Sequence, residues 1–217
     1  MIEVKDFSKE NSIFNEYIAE IRDEHIQKDS MRFRKNCERM GELIAYEISK
    51  RLAYENQNVT TPLGEAIVPK LKEQPVITSI LRAGIPLHQG VLNIFDKAEN
   101  AFVSAYRKHH KDGSFDIELE YLASPNLNDK TVILCDPMLA TGSSMVVTYK
   151  ALLHRGTPKH IHIVSLIASV EGIEYTKRNF PKNTTIWVGA IDQELTAQSY
   201  IVPGLGDAGD MAFGSKI

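Results

Sequence analysis

The chain has 217 residues, 43% hydrophobic and 24% charged, which is enough for one sizeable core and ordinary for a soluble globular protein. Its formal net charge of −3 supplies no polybasic footprint, which weighs against a dedicated nucleic-acid binder. No run approaches a membrane span, the stretch Glu3 to Glu10 is charged, and Cys37 and Cys135 lack metal or redox spacing, so a cytoplasmic, reducing setting is expected.

Residues 10–27 and 31–53 read as two helices, within an N-terminal portion running to residue 56. In the second helix Cys37, Met40, Leu43 and Ile44 recur at helical spacing, as do Ile48 and Leu52. These helices carry no visible chemistry, and packing or subunit contact is the reading. Gln57 to Pro69 is polar, is punctuated by Pro62-Leu63-Gly64, and reads as a loop or short hairpin.

An alternation of strands and helices follows. Val76–Ile80 is a predicted strand, Ile85–Phe95 a helix and Ala101–Tyr106 a strand. Thr131–Leu134 is the next strand, followed by a helix that ends near Arg155-Gly156. His160–Ile167 and Thr185–Ile191 are strands either side of a helix over 171–179. This pattern predicts a single α/β domain, a mostly parallel sheet flanked by helices, with ligands gathering outside the carboxyl ends of the strands. Residues 106–123 break it. A polar stretch centred on Asp112-Gly113 leads into Phe115–Tyr121, which alternates apolar and acidic residues, so the segment reads as a projecting β-arm and candidate flap.

Val132 to Cys135 is an apolar strand ending at Asp136, and Ala140-Thr141-Gly142-Ser143-Ser144 is a small-residue turn before a helical pattern. Strand, acid, turn and helix describe a phosphate cradle, because N–H groups at a helix start are unpaired and partly positive. Asp136 is placed to accept hydrogen bonds from sugar hydroxyls. No Lys follows Gly142, which excludes a P-loop. A formal dinucleotide fingerprint at Gly204–Gly209 lies too near the end for a βαβ unit and is rejected.

Ser79-Ile80-Leu81-Arg82-Ala83-Gly84 places a guanidinium after a strand, suited to pyrophosphate, and Arg107 follows the next strand. Each alone is weak, and their convergence with Asp136–Ser144 raises the odds. The tail from Tyr200 to Gly214 holds four glycines and two aspartates, a composition expected to exclude a regular helix or strand. Tyr200, Ile201, Val202 and Phe213 are the expected anchors that dock it, leaving fixed backbone groups to read a planar base. His160 and His162 share a strand face without a third ligand in view, Trp187 reads as core, and Cys135 has no base beside it.

Asp136-Pro137-Met138-Leu139-Ala140-Thr141-Gly142 resembles the phosphoribosyl-pyrophosphate loop of the uracil phosphoribosyltransferases, with Pro137 in place of the general loop's second acid. The tail resembles that family's uracil-binding segment, and with Leu81-Arg82-Ala83-Gly84 the resemblance runs from about residue 12 onward. It implies a type I phosphoribosyltransferase fold with a small C-terminal hood over residues 192–217, catalysing transfer of phosphoribose to uracil. By position, Arg82 and Arg107 would bind pyrophosphate, while Asp136, Pro137, Met138, Leu139, Ala140, Thr141, Gly142, Ser143 and Ser144 would hold ribose and 5′-phosphate. Asp136, Arg82 and Arg107 would carry the catalysis. Ile201, Gly206, Asp207 and Ala208 would meet uracil, with Asp207 also facing the phosphoribosyl pyrophosphate and its Mg²⁺. A homo-oligomer (dimer or higher) and GTP as an activator belong to the same expectation; no nucleic acid or membrane partner does. Ser143, Met211 and Pro86-Leu87-His88-Gln89 depart from the family pattern. The competing readings are a nucleotide-sensing, RNA-binding regulator on the same fold and a transferase for another base.

Overall fold

Helix α1 (Ile13–Arg22) begins on Ser12, whose hydroxyl accepts the Phe14 N–H at 3.3 Å. It stops ten residues later because the Asp23 carboxylate accepts the N–H groups of His25 and Ile26 at 2.8 and 2.9 Å. Those bonds open a separate 3₁₀ turn, so the single helix expected over 10–27 is two pieces. Helix α2 (Ser30–Ser49) is capped by Asp29 and buries Phe33, Cys37, Met40, Ile44 and Ile48 along one stripe. The computed structural model describes residues 1–109 and 115–215, with the backbone alone described over 105–109 and 115–119.

The main sheet is built from β1 (Glu3–Asp6), β4 (Val76–Leu81), β5 (Glu99–His109), β6 (Phe115–Ala123), β7 (Thr131–Cys135), β9 (His160–Ser169) and β10 (Thr184–Asp192). Their spatial order is β1-β10-β9-β7-β4-β5-β6, and the two-residue strand β8 (Met138–Leu139) pairs with β9. Every neighbouring pair is parallel except β5–β6. Strand β1 was not anticipated, since four charged and apolar residues at a chain start show too little periodicity to declare a strand.

Alternate residues of the buried strands enter opposite cores. Ile77, Ile133 and Val164 pack with Phe14, Met40 and Leu87 on the face covered by α1, α2 and α3 (Ile85–Ile94). Val76, Val132 and Ile163 pack with Met145 and Ile173 on the face covered by α4 (Ser143–Leu152) and α5 (Val170–Asn179). Helices α2 and α3 approach closely because Gly41 and Gly90 have no Cβ; one on Gly41 would stand 2.5 Å from the Leu87 carbonyl oxygen.

The stretch expected as a loop or short hairpin is a full hairpin, β2 (Tyr54–Thr61) with β3 (Gly64–Leu71), forming its own two-stranded sheet. In the β-arm, Leu81 of β4 pairs with Ser104, so β5 continues five residues past the body of the sheet and pairs there with β6. Arg107 lies within that extension, opposite Ile117, and not at the strand end as expected. Its side chain and the Asp112-Gly113 turn lie outside the described residues.

The tail is docked, but it is more regular than its glycines suggested. β12 (Ile201–Val202) pairs with β11 (Glu194–Leu195), and residues Ala208–Phe213 form a short helix, α6. The Asp207 carboxylate caps that helix, accepting the N–H groups of Gly209 and Asp210 at 2.8 and 3.0 Å. Of the four expected anchors only Ile201 is buried. Tyr200 and Phe213 are 43% and 40% exposed, whereas Ile201, Leu205, Ala208 and Ala212 are at most 5% exposed.

An ion pair fixes the tail to the body. Arg22 donates twice to Asp192, at 2.8 Å each, and once to the Gly204 carbonyl at 2.9 Å. The Gly204 N–H returns to Asp192 at 2.9 Å. Burial alone would raise the Asp192 carboxyl, but Arg22 and the Gly204 N–H outweigh it and hold it below the usual carboxylate range. That contribution to stability is present above the unfolded carboxylate value of about 3.9 and is lost as pH falls through the lower folded value. Arg22→Ala should therefore cost about 3 kcal/mol in denaturant melts at neutral pH, because it strands a buried carboxylate. The gap to wild type should shrink as the pH is lowered below about 3.9; a gap independent of pH would contradict this account.

Candidate active site

The chain after β7 does not leave the sheet at once. The Pro137 carbonyl accepts the N–H groups of Leu166 and Ile167 at 3.0 Å each, and Met138 and Leu139 pair with Ile167 and Ala168. Two serines of β9, four residues apart and both fully buried, complete the attachment. Ser165 donates to the Asp136 carbonyl at 2.6 Å, and Ser169 to the Ala140 carbonyl at 2.5 Å. Ser169 also accepts the Gly172 N–H at 2.8 Å, capping α5 with the same hydroxyl.

Gly172 lets α5 approach the loop, since a Cβ there would meet the carbonyl oxygens of Ala140 and, at 2.6 Å, Leu139. Gly142 adopts φ +80°, a left-handed conformation that favours glycine, and precedes the first residue of α4. The Thr141 hydroxyl accepts the Ser143 N–H at 3.3 Å and donates to the Ser143 hydroxyl at 3.1 Å. Ser143, where the family pattern has glycine, is thus the first helical residue and needs no special backbone. Asp136 and the residues from Met138 to Met145 line a cavity of about 40 Å³ at the start of α4, whose first-turn N–H groups lack intrahelical acceptors. The Asp136 carboxylate accepts the Met138 N–H at 3.3 Å.

Arg82 is brought to the same edge. Gly84 packs the turn after β4 against the end of β7, where a Cβ would stand 2.6 Å from the Cys135 carbonyl oxygen. The Arg82 guanidinium donates to Asp210 at 3.3 Å and to the Gly214 carbonyl at 3.2 Å, joining this turn to the tail. Arg34 of α2 supports α6 from the other side through the Ala212 carbonyl at 2.6 Å. Ile201 and Ala208 are buried in this hood, and Gly206 between them is exposed at φ +93°. Asp207, expected to face ligand, has its carboxylate at the α6 cap.

The remaining candidates are structural. Burial and the neighbouring Asp136 charge push the Cys135 thiol up, and burial pushes Cys37 up to about 12, so neither is a nucleophile at neutral pH. Pro86, Leu87 and His88 are buried under the Arg82 turn, with the His88 ring 5.2 Å from that of Phe102. Among the described residues no three His, Cys, Asp or Glu side chains group as a metal site. Ser165, Ser169, Gly172, Arg22 and Asp192 were not singled out in the sequence. The two serines left a trace, as hydroxyls in the otherwise apolar run Ile163–Ser169. The Arg22–Asp192 pair, separated by 170 positions, left none.

A family profile described as uracil phosphoribosyltransferase matches residues 8–215. A protein of Porphyromonas gingivalis named uracil phosphoribosyltransferase is 55% identical over 216 residues, covering 100% of both chains. One of Pyrococcus furiosus with that name is 40% identical, over 93% of this chain and 86% of its own. A solved structure from Aquifex aeolicus aligns at a TM-score of 0.87 and 28% identity over 99% of each chain. A hypoxanthine phosphoribosyltransferase of Staphylococcus aureus, at 14% identity and a TM-score of 0.50 over 75% of this chain, shares the fold.

The loop geometry makes Ser169 a testable support. Ser169→Ala leaves the part-buried Ala140 carbonyl without its donor and removes a helix cap, at about 1 kcal/mol for each. The expected outcome is a several-fold or larger rise in KM for phosphoribosyl pyrophosphate with a much smaller change in KM for the base. Equal changes in both constants would show that the hydroxyl supports the fold as a whole and not the loop.

Proposed function

This chain belongs to the uracil phosphoribosyltransferase family, and from that premise we propose that it converts uracil and 5-phospho-α-D-ribose 1-diphosphate to UMP and diphosphate. One observation supports this most: the Asp136–Ser144 loop, the Arg82 turn and the C-terminal hood meet at the carboxyl edge of one parallel sheet, with Arg82 bonded directly to the hood.

The C1–diphosphate bond breaks toward an oxocarbenium-like sugar. Arg82, released from Asp210 and Gly214, would neutralise the leaving diphosphate, with Arg107 as the second cation that the family resemblance implies. Asp136 would hold the ribose hydroxyls, and the first turn of α4 with Thr141, Ser143 and Ser144 the 5′-phosphate. The hood would set the uracil ring nitrogen in line with C1, so positioning supplies much of the rate. The donor chemistry fits Mg²⁺ brought by the substrate, because among the described residues no three His, Cys, Asp or Glu side chains group as a metal site and Mg²⁺ prefers phosphate oxygens and water. When bound, Mg²⁺ would add positive charge at the departing diphosphate, with Asp207 as its candidate contact.

Homo-oligomerisation belongs to the same proposal. The β2–β3 hairpin stands apart from the main sheet and exposes Ile67 at 71% and Leu63 fully, a surface suited to a second copy. A cytoplasmic setting fits two free, buried cysteines, and no described helix is long and apolar enough to cross a membrane. GTP activation is tested by adding GTP to the assay below.

The deciding experiment is a product assay with phosphoribosyl pyrophosphate, Mg²⁺ and each of five bases. Uracil should be accepted, and cytosine rejected by roughly a thousandfold, since two fixed backbone groups of the hood would face like partners at about 1–3 kcal/mol each. Comparable kcat/KM for the two pyrimidines would refute backbone reading of the base.

Arg82→Ala should lower kcat/KM by about 2–4 kcal/mol of transition-state stabilisation while leaving the fold intact. Asp136→Asn should lower kcat roughly 100-fold or more. A well-folded Asp136→Asn protein with near-normal turnover would reduce that carboxylate to a structural group.

A further inference from the structure

Two guanidiniums reach helix α6 from the body of the protein, and they hold it differently. Arg82 comes from the turn after β4, and its Nη2 donates to Asp210 at 3.3 Å and to the Gly214 carbonyl at 3.2 Å. Both bonds are at the long end of the range, and the Arg82 and Asp210 side chains are 39% and 34% exposed, so a phosphate can take their place. Arg34 comes from α2, and its Nη1 donates to the Ala212 carbonyl at 2.6 Å in a part-buried position. The same guanidinium lies 5.9 Å from the centre of the Phe213 ring, within reach of a cation–π contact.

Helix α6 needs such support. It has six residues, and a helix that short is not stable alone. The Asp207 cap and the bond from the Gly214 N–H to the Asp210 carbonyl lie within the tail itself and do not tie it to the sheet. Ala208 and Ala212 are buried but bring only methyl groups to the core. Ala212 lies in the last turn, where carbonyls lack intrahelical donors, so Arg34 supplies a bond that the helix cannot make for itself. Arg34 is well founded in turn: α2 runs for 20 residues, and Phe33, the residue before it, is 2% exposed.

In the proposed reaction Arg82 turns to the diphosphate and gives up both of its bonds to the tail. Arg34 then remains as the guanidinium on α6, and Gly206 and Asp207 lead directly into the first turn of that helix. We propose that Arg34 is a positioning residue for the base: by holding the end of α6 it keeps the Gly206–Ala208 backbone in place while Arg82 serves the diphosphate. This inference rests on the reading of the hood as the uracil site, and it gives Arg34 itself no contact with substrate.

Hydrogen exchange of the full chain without substrate measures the clamp, and kinetics measure its consequence. Arg34→Ala should speed exchange over residues 205–214 about tenfold or more with the peptides of α2 and the main sheet unchanged, whereas Arg82→Ala should change it by less than about threefold. In the transfer assay Arg34→Ala should raise KM for uracil about tenfold or more, and KM for phosphoribosyl pyrophosphate by less than about threefold. If Arg34→Ala does not fold, Arg34→Lys takes its place; it keeps a donor without the planar fork, and about a threefold or larger change is expected in the exchange rate and in KM for uracil. Exchange at the wild-type rate in the folded variant overturns the proposal. An equal acceleration in Arg82→Ala, or a parallel rise in both KM values, overturns it as well. A wild-type protein that makes no UMP removes the substrate reading instead, and the exchange rates still decide whether Arg34 holds α6.

Discussion

The C-terminal tail is held in place by Arg22, Asp192 and Gly204, and its proposed role as a binding surface depends on that. A segment with four glycines loses much conformational entropy on ordering, and its apolar contacts are small. Four hydrogen bonds among three groups, two of them charged and mostly buried, fix the chain where it turns back toward the sheet. Charge-assisted bonds of this kind are the strong ones, and they are strong here because water is largely excluded. The short ladder of β11 with β12, the Asp207 cap and the contacts of α6 all lie around that point.

The Asp136–Ser144 loop has a different kind of support. Its rigidity comes from β9, which runs alongside it and supplies backbone pairing, two serine hydroxyls and the helix cap that follows. The glycines serve this arrangement at two particular positions. Gly172 permits contact between α5 and the loop carbonyls, and Gly142 permits the left-handed step into α4. A loop held this way presents its N–H groups with little reorganisation, which is what electrostatic stabilisation of a phosphate or a departing charge requires.

Arg82 links the two halves of the site. In this structure its guanidinium is satisfied by Asp210 and Gly214, so a diphosphate would compete with the hood for the same donors. Both Arg82 and Asp210 are about one-third exposed, which makes the existing pair weak and readily exchanged. On the proposed assignment, base and diphosphate would be handled by contiguous groups, as a reaction aligned along one line through C1 requires.

What could be read without coordinates was local or periodic. The strands Val76–Leu81, Thr131–Cys135 and His160–Ser169 are mostly apolar runs, and the strand–acid–turn–helix order around Asp136 needs only neighbouring residues. The resemblance of that loop and of the tail placed the chain in its family, because both motifs are contiguous. Tertiary structure decided the rest. Asp207 capping a helix in a glycine-rich tail, the exposure of Tyr200 and Phe213, and the burial of Leu205 and Ala212 all depend on what the tail packs against. Arg22 and Asp192 are both unremarkable as sequence, a charge near a helix end and an acid near a strand end. They become partners only because the sheet brings positions 170 residues apart within 2.8 Å, and no one-dimensional pattern encodes a distance across the fold.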